Sequence, residues 1–272
     1  MRLDADTRTL GDLTGRTVLV TGASSGIGAA VVTRFLAAGA RVHGVARRRD
    51  EMERRWAAER AAERFVPHPL DVSDGDAVQA LMDRLAATDP VDTLVLAAGR
   101  NVNPRTFGEV SFEAFDDLMR VNLSGVFYFL RAGIDQLRDS RGDAVIVSSV
   151  SALWPDHSGP AYQASKAALV ALARGVARDE HANGVRVTTV MPAFVNTPIV
   201  DRRPVPPPPG LRSLFIQPED VAETALAAIT IPGRTTVSEI TLTATRIQSI
   251  GNTQNANPEI PESLRGELGL EA

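Results

Sequence analysis

Short apolar runs recur along the chain at about residues 17–21, 41–45, 65–68, 93–97, 144–148, 186–191 and 238–243. Their length and β-branched content read as buried strands. Between them lie longer amphipathic stretches. Val31, Val32, Phe35 and Leu36 follow a helical spacing, and residues 50–64 are rich in Arg and Glu around Trp56, which reads as a core anchor. Strand and helix therefore alternate, with no repeat at a fixed period. Such alternation predicts an α/β fold: a doubly wound parallel sheet of Rossmann type, with helices on both faces, right-handed crossovers, and ligands at the carboxyl ends of the strands.

The 272 residues suit one body of this class. Residues 1–250 are expected to form a single domain, followed by a polar tail, 251–272, that is mobile or lies on a neighbouring subunit. A net charge of -4, with acids and bases interleaved along the helices, argues against a nucleic-acid or acidic-membrane partner. Without cysteine there are no disulfides or thiolate metal sites, and His43, His68, His157 and His181 lack zinc-ligand spacing, so no metal is expected. Residues 1–13 carry acids and no apolar core, and no apolar run approaches the ~18 residues of a membrane span. A cytoplasmic protein is expected.

Two patterns carry chemistry. The run Thr17–Thr21 leads into Gly22-Ala23-Ser24-Ser25-Gly26-Ile27-Gly28 and then a helix. Glycines there let the backbone turn tightly and approach a pyrophosphate, whose charge is met by free amides and the helix dipole. The second pattern is Tyr162 followed four residues later by Lys166, the sole lysine against 28 arginines. Spacing of i and i+4 places ammonium and phenol on one helix face, where the cation is expected to lower the tyrosine pKa. Arginine, wide and planar, does not substitute for such a compact charge. The strand at 144–148 ends at Ser148 and Ser149, bringing a hydroxyl toward the tyrosine if strand and helix pack together.

Taken together, the motifs resemble those of the classical short-chain dehydrogenase/reductase family over about residues 14–245. Thr21–Gly28 resembles its cofactor loop, and Tyr162-Gln163-Ala164-Ser165-Lys166 its active-site helix. Asp71-Val72 resembles the pair bordering the adenine, and Val121-Asn122-Leu123-Ser124-Gly125 the helix that carries a catalytic asparagine. Ser149 precedes Tyr162 by thirteen residues, the separation usual in the family, so the resemblance implies Ser149 rather than Ser148. The resemblance implies Asn122, Ser149, Tyr162 and Lys166 as catalytic residues. It implies a cofactor site of Gly22, Ser24, Ser25, Gly26, Ile27, Gly28, Arg47, Asp71, Val72, Ala98, Gly99, Pro192, Val195 and Thr197, shared with Asn122, Tyr162 and Lys166.

Cofactor choice rests on Val45-Ala46-Arg47-Arg48-Arg49, which lacks the acid that would accept ribose hydroxyls and offers Arg47 to a 2'-phosphate. NADP(H) is therefore expected over NAD. Two departures from the family pattern stand out. Leu96-Ala97-Ala98-Gly99 lacks an asparagine amide that ties neighbouring strands, and Ala193 replaces a glycine, against any left-handed backbone there. Pro204 and Pro206–Pro209 predict a short, stiff segment after Thr197 in place of a helical lid.

The expected activity is hydride transfer between NADP(H) and a small carbonyl compound or secondary alcohol. The alternatives are an NAD-linked alcohol or polyol dehydrogenase, a silent NADPH-sensing regulator of the same fold, and a nucleotide-sugar epimerase. The resemblance also implies a homodimer or homotetramer paired through helices around 111–139 and 159–181.

Overall fold

The computed structural model describes residues 8–247 and 256–269. The elements run β1 (Thr17–Thr21), α1 (Gly26–Ala37), β2 (Arg41–Ala46), α2 (Arg49–Arg55), α3 (Ala57–Ala61), β3 (Phe65–Pro69), α4 (Gly75–Thr88) and β4 (Thr93–Leu96). Then come α5 (Phe112–Met119), α6 (Gly125–Ser140), β5 (Asp143–Val147), α7 (Pro160–Glu180), β6 (Arg186–Pro192), α8 (Pro209–Arg212), α9 (Pro218–Thr230), β7 (Glu239–Leu242) and α10 (Glu262–Arg265). The strands form one parallel sheet in the order β3-β2-β1-β4-β5-β6-β7. The chain winds outward from β1 to β3 and then crosses to β4, so the strand order reverses between β1 and β4. That switch point opens a crevice at the carboxyl ends of both strands.

Alternation within β1 decides the two faces. Val18 and Val20 point into a cluster with Val31, Val32 and Phe35 of α1 and Val221 and Leu226 of α9. Leu19 points the other way, among Leu81 of α4, Phe129 of α6 and Leu169 of α7. Fully burying such a side chain contributes about 1.5–3 kcal/mol, so both helical layers are held by the sheet they cover.

The amino-terminal edge of the sheet is closed by charge. Asp143, 2% exposed at the start of β5, accepts from Arg16 at 2.7 Å, from Arg186 at 2.8 Å and from Arg8 at 2.8 Å. Arg16 also reaches Asp92 at 2.8 Å. These bonds tie the starts of β1, β4, β5 and β6 together.

Two helices differ from their sequence reading. The stretch 50–64 breaks into α2 and α3 at Trp56, because the indole turns inward to pack at a tilt against Phe65, ring centroids 4.7 Å apart, and to donate to Thr33 at 3.2 Å. The stretch 111–139 is interrupted by a π-helical turn, Arg120–Ser124, joining α5 to α6. After Thr197 the chain makes a 3-10 turn at Val200–Arg202 and passes through Pro208 in polyproline geometry (φ -64, ψ 153) into α8. Proline opens α8 where a missing N–H costs nothing. Of the tail, residues 251–255 and 270–272 lie outside the described residues; within 256–269, Ile260 packs against the cluster of Leu211 and Phe215, and Glu267 pairs with Arg246. This part of the tail lies on its own chain.

Candidate active site

β1 delivers the glycine turn to the switch point. Gly26 has φ +54, and a Cβ on Gly28 would stand 2.4 Å from the Gly22 carbonyl oxygen, so neither position admits a side chain without movement. At Gly22 (φ +72) a Cβ would press on the Ala98 backbone at 3.0 Å, which places Ala98 and Gly99 against the loop. Ser25 caps α1 in extended conformation without a side-chain bond to the helix. Among the described residues, no backbone acceptor outside the helix takes the amides of Ser24, Gly26, Ile27 or Gly28. Free amides at a helix start, with a glycine cradle around them, fit a pyrophosphate.

The neighbouring strand ends complete this side. Val72 is buried beneath Gly125 at the start of α6, and Asp71 accepts from the Ser73 amide at 3.0 Å and the Ser73 hydroxyl at 2.7 Å. Thr197, 7% exposed, lies against Gly26, with its methyl 3.1 Å from where a Cβ would sit. It closes the site opposite the loop, together with Pro192 at the end of β6 and Val195, which bridges to Ile216.

The four predicted catalytic groups converge beside this crevice. The π turn aims Asn122 inward, where its Oδ1 accepts from the Arg100 amide at 2.9 Å and its Nδ2 donates to the Arg100 carbonyl at 3.0 Å and to Ser165 at 3.1 Å. A Cβ on Gly99 would lie 3.5 Å from both Asn122 Oδ1 and Lys166 Nζ, so these three positions meet. Lys166, 5% exposed, donates to the Val147 carbonyl at 3.0 Å and stands 5.6 Å from the Tyr162 ring centroid. Ser148 is occupied elsewhere, donating to the Lys166 carbonyl at 2.8 Å. Ser149 is the hydroxyl that faces Tyr162.

Electrostatics depart from the sequence reading here. Burial is the largest influence on the Tyr162 phenol and pushes its pKa up to about 12; Asp156 adds to the rise, while Ser149, Arg105 and Arg203 oppose it. Lys166 is not among these influences. Its ammonium is directed at the Val147 carbonyl, and burial lowers its own pKa to about 8. In the free protein the phenol therefore holds its proton.

The family model for short chain dehydrogenases matches residues 16–205. The chain belongs to this family. Like its relatives, this short-chain dehydrogenase is an oxidoreductase of a family that uses nicotinamide cofactors. An uncharacterised oxidoreductase of Staphylococcus aureus is 30% identical over 238 residues, covering 85% of this chain and 97% of the relative. Mouse L-fucose dehydrogenase is 34% identical over 186 residues, 68% of this chain and 67% of that protein. Among solved structures, a dehydrogenase/reductase from Sinorhizobium meliloti superposes with a TM-score of 0.76 at 27% identity, covering 86% of this chain and 95% of the other. An alcohol dehydrogenase from the archaeon Thermococcus sibiricus, complexed with 5-hydroxy-NADP, gives 0.75 at 28% identity, covering 85% and 97%.

Three features of this short-chain dehydrogenase were not read from its sequence. Thr21 accepts at its hydroxyl from the amides of Ala97 and Ala98, both at 3.1 Å, and so ties β1 to the loop after β4 where the asparagine is missing. Arg48 lies on the glycine loop, its Nη2 donating to Ser24 at 2.9 Å, whereas Arg47 is exposed and stands 3.7 Å from Asp71. The adjacency of both arginines in one run was the available signal. Arg105 and Arg203 flank Tyr162, and no local pattern announced them. Ala193 has no positive φ, as the absence of glycine implied, and its amide donates to the Leu242 carbonyl at 2.9 Å.

Proposed function

We propose that the chain is an NADP(H)-dependent reductase of carbonyl compounds, acting in reverse on secondary alcohols. The observation that carries this reading is the convergence of Asn122, Ser149, Tyr162 and Lys166 beside an open glycine cradle. When bound, the nicotinamide supplies the hydride that reduces the carbonyl carbon. Tyr162 donates the proton to the carbonyl oxygen, a role suited to a phenol that remains protonated at neutral pH. Ser149 donates a hydrogen bond to the same oxygen as negative charge develops there. Lys166 holds the cofactor ribose, and Asn122 fixes the loop after β4 against α7. Gly22 to Gly28 receive the pyrophosphate, Asp71, Val72, Ala98 and Gly99 border the adenosine, and Pro192, Val195 and Thr197 border the nicotinamide.

Preference for the phosphorylated cofactor is assigned to Arg47 together with Arg48, at the end of β2 where an acid is missing. The nucleotide in the Thermococcus sibiricus structure supports this choice. Subunits pair through α6 and α7, whose outer faces carry Phe127, 48% exposed, in a groove that joins Leu130, Ile134 and Val176 to charged residues of both helices, among them Asp135, Arg138 and Glu180. Fluorescence titration of both cofactors tests the preference. Arg47→Ala and Arg48→Ala should each weaken NADPH about ten- to a hundredfold and leave NADH nearly unchanged. Equal weakening of both nucleotides would assign the two arginines to structure alone.

A further inference from the structure

The loop after β4 and the segment after Thr197 meet near Tyr162. Asn103 Nδ2 donates to the Arg202 carbonyl at 2.6 Å, and Arg105 Nη2 donates to the same carbonyl at 3.4 Å. Arg105 is 9% exposed, and its backbone packs on Gly159, the residue that caps α7 three positions before Tyr162. Its Nε is held by the Val102 carbonyl and by Asn103, while its Nη1 donates to no described residue. Arg203 lies with its guanidinium over the Phe194 ring at 4.7 Å and donates once, to the Ala256 carbonyl. Neither arginine forms a salt bridge among the described residues, although most other arginines of the chain do.

We propose that Arg105 and Arg203 form a carboxylate-binding subsite beside Tyr162, so that the substrate is an oxo acid reduced to a hydroxy acid. This rests on the reductase reading and adds the substrate class to it. Two planar guanidinium forks with donors to spare match the geometry of a carboxylate. Asp156 is the one acid that acts on both arginines and on Tyr162, and it is already engaged by Ser151 at 2.6 Å and by the Ser158 amide at 2.8 Å. Two cations against one anion leave a single positive charge, which suits a monoanion. Burial, and then the nearby charge of Arg105, push Arg203 down to about 10. In the reaction the carbonyl carbon gains hydride from the reduced nicotinamide and the oxygen gains a proton from Tyr162; the carboxylate is unchanged and serves as the handle.

The test uses a ladder of straight-chain oxo acids with increasing distance between carbonyl and carboxylate, each beside its methyl ester, assayed with NADPH. The same compounds are titrated calorimetrically into the enzyme with and without NADPH. At least one acid should exceed its ester in kcat/KM by about tenfold or more, and Arg203→Gln should reduce that acid-over-ester ratio about ten- to a hundredfold. Arg203→Lys should recover part of the ratio, because it keeps the charge and loses the fork. Arg203 is chosen first because Arg105 also braces the loop. Equal handling of acids and esters, or an acid preference untouched by Arg203→Gln and Arg105→Gln, would overturn the subsite and leave the reductase reading standing. If nothing is reduced, acid binding that Arg203→Gln abolishes would support the subsite and sink the reductase reading; no acid binding at all would overturn the subsite too.

Discussion

At Lys166 the chain keeps a lysine although it uses arginine at every other basic position, and the buried path to the Val147 carbonyl supplies the reason. A guanidinium is wider and holds its donors in a plane, so Lys166→Arg should fold yet lose at least about tenfold in cofactor affinity and in turnover. Wild-type kinetics in this variant would reduce Lys166 to a solvent-type charge. Its titration gives a second readout. The ammonium form, present below a pKa of about 8, is the form proposed to hold the ribose, and Tyr162 stays protonated up to about 12. Carbonyl reduction should therefore be level at neutral pH and fall as pH rises through about 8. A kcat/KM profile that stays flat to about pH 10 would contradict the assignment. The pairing of Tyr162 with Lys166 was legible in the i, i+4 spacing, but the direction of the tyrosine shift was not, because burial is a property of the packed site.

Among the elements, the turn from β1 into α1 has the least freedom. Gly28→Ala would drive a Cβ to 2.4 Å from the Gly22 carbonyl oxygen, so the loop must open and the amides proposed to receive the pyrophosphate must turn away. NADPH affinity should fall by more than about tenfold, with far-ultraviolet circular dichroism unchanged, and retained affinity would show that the cradle tolerates the shift. This element was legible because strand, glycine turn and helix follow one another locally. The breaks at Trp56 and at Arg120–Ser124 were not. Each is set by a side chain finding distant partners, Trp56 with Phe65 and Thr33, and Asn122 with Arg100 and Ser165. Amphipathic periodicity continues across both interruptions. Arg105 and Arg203 were likewise invisible in sequence, since their segments meet only through tertiary contacts, the bonds of Asn103 and Arg105 to the Arg202 carbonyl.

Over the whole molecule, the two edges of the sheet divide the work. The carboxyl edge leaves amides and hydroxyls open for ligands, while the amino edge is closed around Asp143 by Arg8, Arg16 and Arg186. Removing that carboxylate leaves the nearly buried Arg8 and the buried Arg186 without their acid, while Arg16 keeps Asp92. Asp143→Ala should lower the unfolding free energy by about 3–5 kcal/mol, measured by urea denaturation, while the folded fraction still binds NADPH. An unchanged midpoint would show that the ionic cluster contributes nothing to the fold. The chemistry at the other edge is tested most directly by following NADPH absorbance as a panel of carbonyl compounds is added to the wild-type protein and to Tyr162→Phe. The wild type should oxidise NADPH with at least one compound, and Tyr162→Phe should bind NADPH nearly as well yet turn over about two to four decades more slowly. Turnover in Tyr162→Phe equal to that of the wild type would contradict the assignment of Tyr162 as proton donor, and with it the proposed mechanism.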